Sequence, residues 1–140
     1  MSQAPSLLEQ ADKSSTTLNY AVELTKTAAK IGFDWPTVEG VIAKIHEELN
    51  EVQYEITQGN IPERVHDEIG DLLFACTNLA RHLNVDPETA LQSTNTKFTR
   101  RFEFIEQQVA KQNKAMTDVS LEQLDALWDQ AKSLEKNQTS

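Results

Sequence analysis

Apolar residues recur along this chain at three- and four-residue intervals, and runs with the alternation of a strand are absent. The pattern predicts an all-α fold. A first helix fits about Thr16 to Ile31, with Leu18, Ala21, Val22, Ala28 and Ala29 inward, and Gly32 is placed to end it in a left-handed cap. Phe33-Asp34-Trp35-Pro36 leads into a second helix, whose first turn is expected to hold Pro36 and which runs to about Thr57. Its stripe is Val41, Ile42, Ile45, Leu49, Val52 and Ile56. Gln58-Gly59-Asn60 turns the chain, and Asn60 with Glu63 predicts a capping-box-like start to the third helix. That helix reaches about Leu83, with Val65, Ile69, Leu72, Leu73, Cys76, Leu79 and Ala80 inward. Asp86-Pro87 opens a fourth helix, to about Gln112, with Leu91, Phe98, Phe102, Ile105 and Val109 inward. Ser120-x-x-Gln123 is a capping box for the last helix, which carries Leu124, Leu127, Ala131 and Leu134. Short connections favour an antiparallel bundle. Apolar residues spread along several long helices also point to a helical partner chain.

The length of 140 residues corresponds to one domain. Residues 1–15 are polar and weakly patterned and read as a tail or a short helical turn. Residues 16–135 form the expected domain, and 136–140 a second tail. No apolar run approaches the ~20 residues of a membrane helix, and no secretory signal is visible at the start. The single cysteine, Cys76, excludes an internal disulfide framework and makes a reduced, cytoplasmic setting the expectation. A net charge of −9 disfavours polymeric DNA or RNA and anionic membrane as partners.

That charge is concentrated. Nine acidic residues but only Lys44 and Arg64 as basic ones lie between Glu39 and Asp71. At about 100° per residue, Glu47, Glu48, Glu51 and Glu55 share one arc of the second helix, with Glu48 and Glu51 beside the apolar seam. Glu68 and Asp71 repeat the i, i+3 spacing on the third helix. If the two helices pack antiparallel, both pairs converge at the seam edge. Carboxylates brought together repel, and a hard divalent cation, Mg²⁺ or Mn²⁺, resolves the conflict. The alternative is a solvated acidic face. Of the basic residues, Lys97 and Arg101 share a face of the fourth helix beside Phe98 and Phe102, while Arg100 points elsewhere. Trp128 and Lys132 are a second i, i+4 pair. These groups are candidates for phosphate and base contacts, set against ordinary surface ion pairs and core packing. His46, His66 and His82 are scattered and read as surface or satisfied interior histidines, and Cys76 as a buried structural thiol.

Glu47-Glu48-Leu49-Asn50-Glu51 followed by Glu68-Ile69-Gly70-Asp71 resembles the EExxE…ExxD signature of the MazG-type nucleoside triphosphate pyrophosphohydrolases. Further segments extend the likeness to the C-terminal half of bacterial MazG. They are Gly32-Phe33-Asp34-Trp35-Pro36, Gly70-Asp71-Leu72-Leu73-Phe74-Ala75, Asn78-Leu79-Ala80-Arg81-His82-Leu83, Lys97-Phe98-x-Arg100-Arg101-Phe102 and Trp128. The resemblance covers about residues 16–135 and implies an all-α bundle of the NTP pyrophosphatase type that forms homodimers or higher homo-oligomers. It implies Mg²⁺-dependent hydrolysis of a nucleoside triphosphate to the monophosphate and pyrophosphate by water attack on the α-phosphorus. Carried onto this chain, it gives Glu48, Glu51, Glu68 and Asp71 as metal ligands and Glu47 for water activation or support. Lys44, Arg64, Lys97, Arg101 and Lys132 become candidate phosphate contacts and Trp128 a candidate base contact. Bacterial MazG commonly carries two such halves in one chain; this sequence carries one. Rival readings are a relative confined to one substrate, such as dUTP, dCTP or phosphoribosyl-ATP, and a non-catalytic helical dimerisation module.

Overall fold

The computed structural model describes residues 4–138, and their regular structure is helical throughout. Five α-helices follow one another: α1 (Thr17–Ala29), α2 (Val38–Thr57), α3 (Pro62–His82), α4 (Pro87–Lys111) and α5 (Leu121–Gln138). Short 3-10 turns occupy Leu7–Gln10 and Met116–Asp118. The chain divides into two compact units, one up to Ala90 and one from Leu91.

Local chemistry sets the helix ends. The Thr16 hydroxyl accepts from Asn19 N at the start of α1, and Gly32, at φ +90°, ends the turn after it. Asp86 Oδ1 accepts from Glu88 N (2.9 Å) at the start of α4. Ser120 and Gln123 form the reciprocal capping box: Gln123 N donates to Ser120 Oγ (3.2 Å) and Ser120 N to Gln123 Oε1 (3.0 Å). Two expected starts are displaced. Pro36 lies outside α2, which begins after Thr37. Asn60 does not cap α3: its N–H donates to Glu55 O, closing the end of α2, and its φ is +54°. Asn60 is therefore spent on the preceding helix, and α3 starts from Ile61 with Pro62 in the first turn.

In the first unit, α3 packs on both α2 and α1, and α1 also meets the 3-10 turn at Leu7–Gln10, beyond which Ala11 is buried. The covered arc of α2 contains Val41, Ile45, Glu48 and Val52; that of α3 contains Glu68, Leu72, Ala75 and Leu79. The expected inward stripes are thus partly wrong. Ile42, Leu49 and Ile56 on α2 and Ile69, Leu73 and Cys76 on α3 are exposed. They sit about 60–140° around each helix from the covered arc, so the α2–α3 contact turns them outward. Cys76 is accordingly a surface thiol rather than a buried one.

In the second unit, Ile105 and Val109 of α4 and Ala131 of α5 are buried. Leu91, Phe98, Phe102 and Leu134, expected inward, are exposed by 41 to 56%. Phe98 nevertheless stacks on Phe102 (6.0 Å, 11°) and meets Trp128 at 5.5 Å.

Candidate active site

Antiparallel packing of α2 against α3 brings the acidic residues together. One carboxylate oxygen each from Glu48, Glu68 and Asp71 lies within 4.8 Å of the other two. Glu48 is buried, only 6% exposed. Desolvation first, then the neighbouring carboxylates Asp71, Glu48, Glu51 and Asp67, hold Glu68 above the usual carboxylate range. Desolvation, Asp67 and Glu48 also raise Asp71, while Lys44 opposes them. Glu51 acts on Glu68 electrostatically but stands outside the tight group of three.

Lys44 partly answers this charge. Its ammonium pairs with Glu48 Oε1 at 2.9 Å and with Glu47 Oε1 at 3.3 Å. Its pKa is raised by the hydrogen bond to Glu48 above all. Glu47 is 60% exposed at its side chain and faces Lys44, one step round the helix from the triad. Two turns further along α2, Glu55 keeps one buried carboxylate oxygen without a hydrogen-bond partner. The donor set of the triad is hard oxygen only, crowded and partly desolvated, which fits a Mg²⁺- or Mn²⁺-type cation and not a soft metal.

A cavity of about 880 Å³ in the same unit adjoins the carboxylates. Lys44, Glu48 and Asp71 form part of its wall. Leu24, Ala28, Phe33, Trp35 and Phe74 supply apolar surface. Trp35 lies against Gly40 of α2: a Cβ there would meet Trp35 Cε3 at 2.9 Å, so glycine admits the ring.

The remaining polar wall includes Asp34, Asn78 and Arg81, which lie in the family-like segments of the sequence but carry no individual role there. Asp34 Oδ1 accepts from Arg81 Nη2 (2.7 Å) and Trp35 N (2.8 Å) and lies 2.8 Å from His82 Nε2. These partners, Arg81 foremost, hold the Asp34 carboxyl below its usual range. Arg81 also donates from Nε and Nη2 to Asn78 Oδ1 (3.1 and 2.9 Å) and from Nε to Thr25 Oγ1 (3.1 Å). The signal available in the sequence was an aspartate in the α1–α2 connector and an arginine on α3, 47 positions apart. Nothing in helical periodicity joins them.

Arg64 lies exposed in the first turn of α3, two turns before Asp71. Lys97, Arg101, Trp128 and Lys132 belong to the second unit. There Arg101 donates to Glu135 Oε2 (2.8 Å) and lies 5.3 Å from the centre of the Trp128 ring. Arg100, expected to point elsewhere, joins it on the same carboxylate at Oε1 (2.9 Å). Arg101 foremost, then Arg100, pulls the Glu135 pKa down. Lys97 and Lys132 are exposed on α4 and α5.

Residues 36–104 match the MazG nucleotide pyrophosphohydrolase domain. The chain is 43% identical over 131 residues to the nucleoside triphosphate pyrophosphohydrolase of Escherichia coli K12, covering 93% of this chain and 50% of that protein. It is 40% identical over 115 residues to the nucleoside triphosphate pyrophosphohydrolase/pyrophosphatase MazG of Thermotoga maritima, covering 82% of this chain and 44% of the relative. The chain spans about half the length of these curated relatives. No helix among the described residues is long and apolar enough to cross a membrane. The matched segment contains α2, α3 and the whole carboxylate triad, and the chain belongs to the MazG nucleotide pyrophosphohydrolase family.

Proposed function

We propose that this chain hydrolyses nucleoside triphosphates to the monophosphate and pyrophosphate, with residues 16–135 as the catalytic domain. The observation that carries the reading is the meeting of Glu48, Glu68 and Asp71 within 4.8 Å beside a cavity of nucleotide size. The relatives' activity points the same way. Glu48, Glu68 and Asp71, with Glu51 next to them, are the residues to hold Mg²⁺ or Mn²⁺. When bound, that ion supplies charge neutralisation at the phosphates and acidifies water.

The chain's own groups do the rest. The raised pKa values of Glu68 and Asp71 express the repulsion and desolvation of the cation-free site, the conflict that a bound cation would relieve. Water attacks the α-phosphorus in line, a carboxylate takes its proton, and pyrophosphate departs. Lys44, held by Glu48, keeps a positive charge at the cavity wall. Lys97, Arg101 and Lys132, with Arg64, are the proposed phosphate contacts and Trp128 a proposed base-face contact. Glu47 supports Lys44 or the attacking water. The exposed residues Ile42, Leu49 and Ile56 recur every seven positions on α2, as a helix–helix seam does, and we assign them to a homodimer contact. Free cytoplasmic nucleotides are the proposed substrates.

The test is product analysis. The purified chain is incubated with each common NTP and dNTP plus Mg²⁺. Monophosphate and pyrophosphate are expected, and Glu68→Gln or Asp71→Asn is expected to abolish turnover in a folded protein. Diphosphate and orthophosphate, or full activity in both variants, would defeat the reading.

A further inference from the structure

Arg81 fixes the hydrogen-bonding character of the cavity next to the triad. A guanidinium donates and never accepts. The Asn78 atom that takes Nε and Nη2 of Arg81 is therefore its carbonyl oxygen, and the amide orientation follows from chemistry. Its two N–H donors are what Asn78 has left for a ligand. Thr25 is spent as well: its hydroxyl oxygen accepts from Arg81 and donates to Val22 O (3.0 Å). Both residues line the cavity, as does Arg81. The cavity thus carries carboxylates and Lys44 toward the triad, apolar walls at Phe33, Trp35 and Phe74, and a donor at Asn78.

From this arrangement we propose that the cavity takes the substrate's nucleobase, and that Asn78, locked by Arg81, selects bases presenting a carbonyl oxygen over bases presenting an amino group. The proposal deepens the pyrophosphohydrolase reading and rests on it. Its volume of about 880 Å³ lies inside the roughly 300–1,000 Å³ of ligand pockets. Within this cavity Asn78 would meet the base edge, and the ring face would lie against the apolar wall of Phe33, Trp35 and Phe74. A carbonyl accepts one Asn78 N–H. An amino group in its place sets donor against donor, and both lose a partner on leaving water. Asp34 is a positioning residue here. Its carboxylate holds Arg81 (2.7 Å) and, through Trp35 N (2.8 Å), the segment that carries the aromatic wall.

Uracil and cytosine test this best, because they differ where one presents oxygen and the other an amino group. Calorimetric titration of the full chain with dUMP and with dCMP reads the site without requiring turnover. The wild type is expected to bind dUMP at least tenfold more tightly. Asn78→Asp, nearly isosteric, should reverse the order, since one carboxylate oxygen stays with Arg81 and the other accepts. Asp34→Asn should narrow the preference without reversing it, and an effect confined to stability would leave the ratio unchanged. Gly40→Ala, which displaces Trp35, should weaken both ligands alike. Equal affinities in the wild type, no binding of either nucleotide at millimolar concentration, or an unchanged order in folded Asn78→Asp overturns the proposal. Binding with the expected order but no hydrolysis of any triphosphate would defeat the catalytic reading and leave the base site standing. Hydrolysis without base preference would do the opposite.

Discussion

Asp71→Asn isolates the electrostatic conflict that the triad embodies. Asp71 and Glu48 place carboxylate oxygens within 4.8 Å of each other. Two unit charges at that distance repel by about 1 kcal/mol in a water-like dielectric. Asp71 is exposed, so the water-like value applies, and Lys44 offsets part of it. Removing the Asp71 charge should therefore stabilise the cation-free protein by about 0.5–1 kcal/mol, a rise of roughly 2–8 °C in Tm for a unit of this size. The pH dependence has a definite sign. The folded pKa of Asp71 is raised, so its penalty is absent below the ordinary value of 3.8 and grows as pH rises through the raised pKa. The advantage of the asparagine variant should be full at pH 7–8 and vanish near pH 4. Added Mg²⁺ should stabilise the wild type and do so far less for the variant. The assay is thermal unfolding in chelator and in excess Mg²⁺ across that pH range. A variant less stable than the wild type at pH 7 in chelator, or equal stabilisation of both by Mg²⁺, would exclude a repulsive, cation-binding triad.

Three other outcomes follow from the geometry. Glu135→Gln removes the carboxylate shared by Arg100 and Arg101. Because the folded pKa of Glu135 is lowered, the pairs stabilise above its ordinary value of 4.5 and fade as pH falls through the lowered pKa. The variant should melt earlier at pH 7, with the gap closing below about pH 4 in a pH series of melting curves. Leu49→Asp, in the exposed seam on α2, should convert a dimer to a monomer in sedimentation or light scattering, while an unchanged mass would exclude this face as the contact. Ser120→Ala deletes the cap at the start of α5 and should cost about 1 kcal/mol in denaturant unfolding; no loss would show that the capping box does not stabilise the helix.

Helix order and the two i, i+3 acidic pairs were legible because both depend on spacing along single helices, whereas the tight group that forms holds Glu48, Glu68 and Asp71 without Glu51. Thr16, Gly32, Asp86 and the Ser120–Gln123 box mark ends whose chemistry is local to a few residues. Facing was less legible. Periodicity identifies an apolar arc on α3 but not which neighbour covers it, so Ile69, Leu73 and Cys76 were read inward although α1 and α2 cover the arc beside them. Glu48 shows the converse: a charged residue occupies the covered arc, where Lys44 pairs with it. Asp34, Asn78 and Arg81 stand in family-like segments, but their mutual contacts were not legible, because they link a connector to a helix 47 positions away and exist only after folding. Arg100 and Arg101 show the same limit, since adjacent positions on a helix reach one carboxylate from different directions.

The proposed water attack on the α-phosphorus at the carboxylate site is decided by isotope transfer. Hydrolysis of a triphosphate with Mg²⁺ in ¹⁸O-labelled water, followed by mass spectrometry of both products, locates the atom that water delivers. One ¹⁸O in the nucleoside monophosphate and none in the pyrophosphate is expected at a single turnover. Label in the pyrophosphate, or release of diphosphate with labelled orthophosphate, would contradict it.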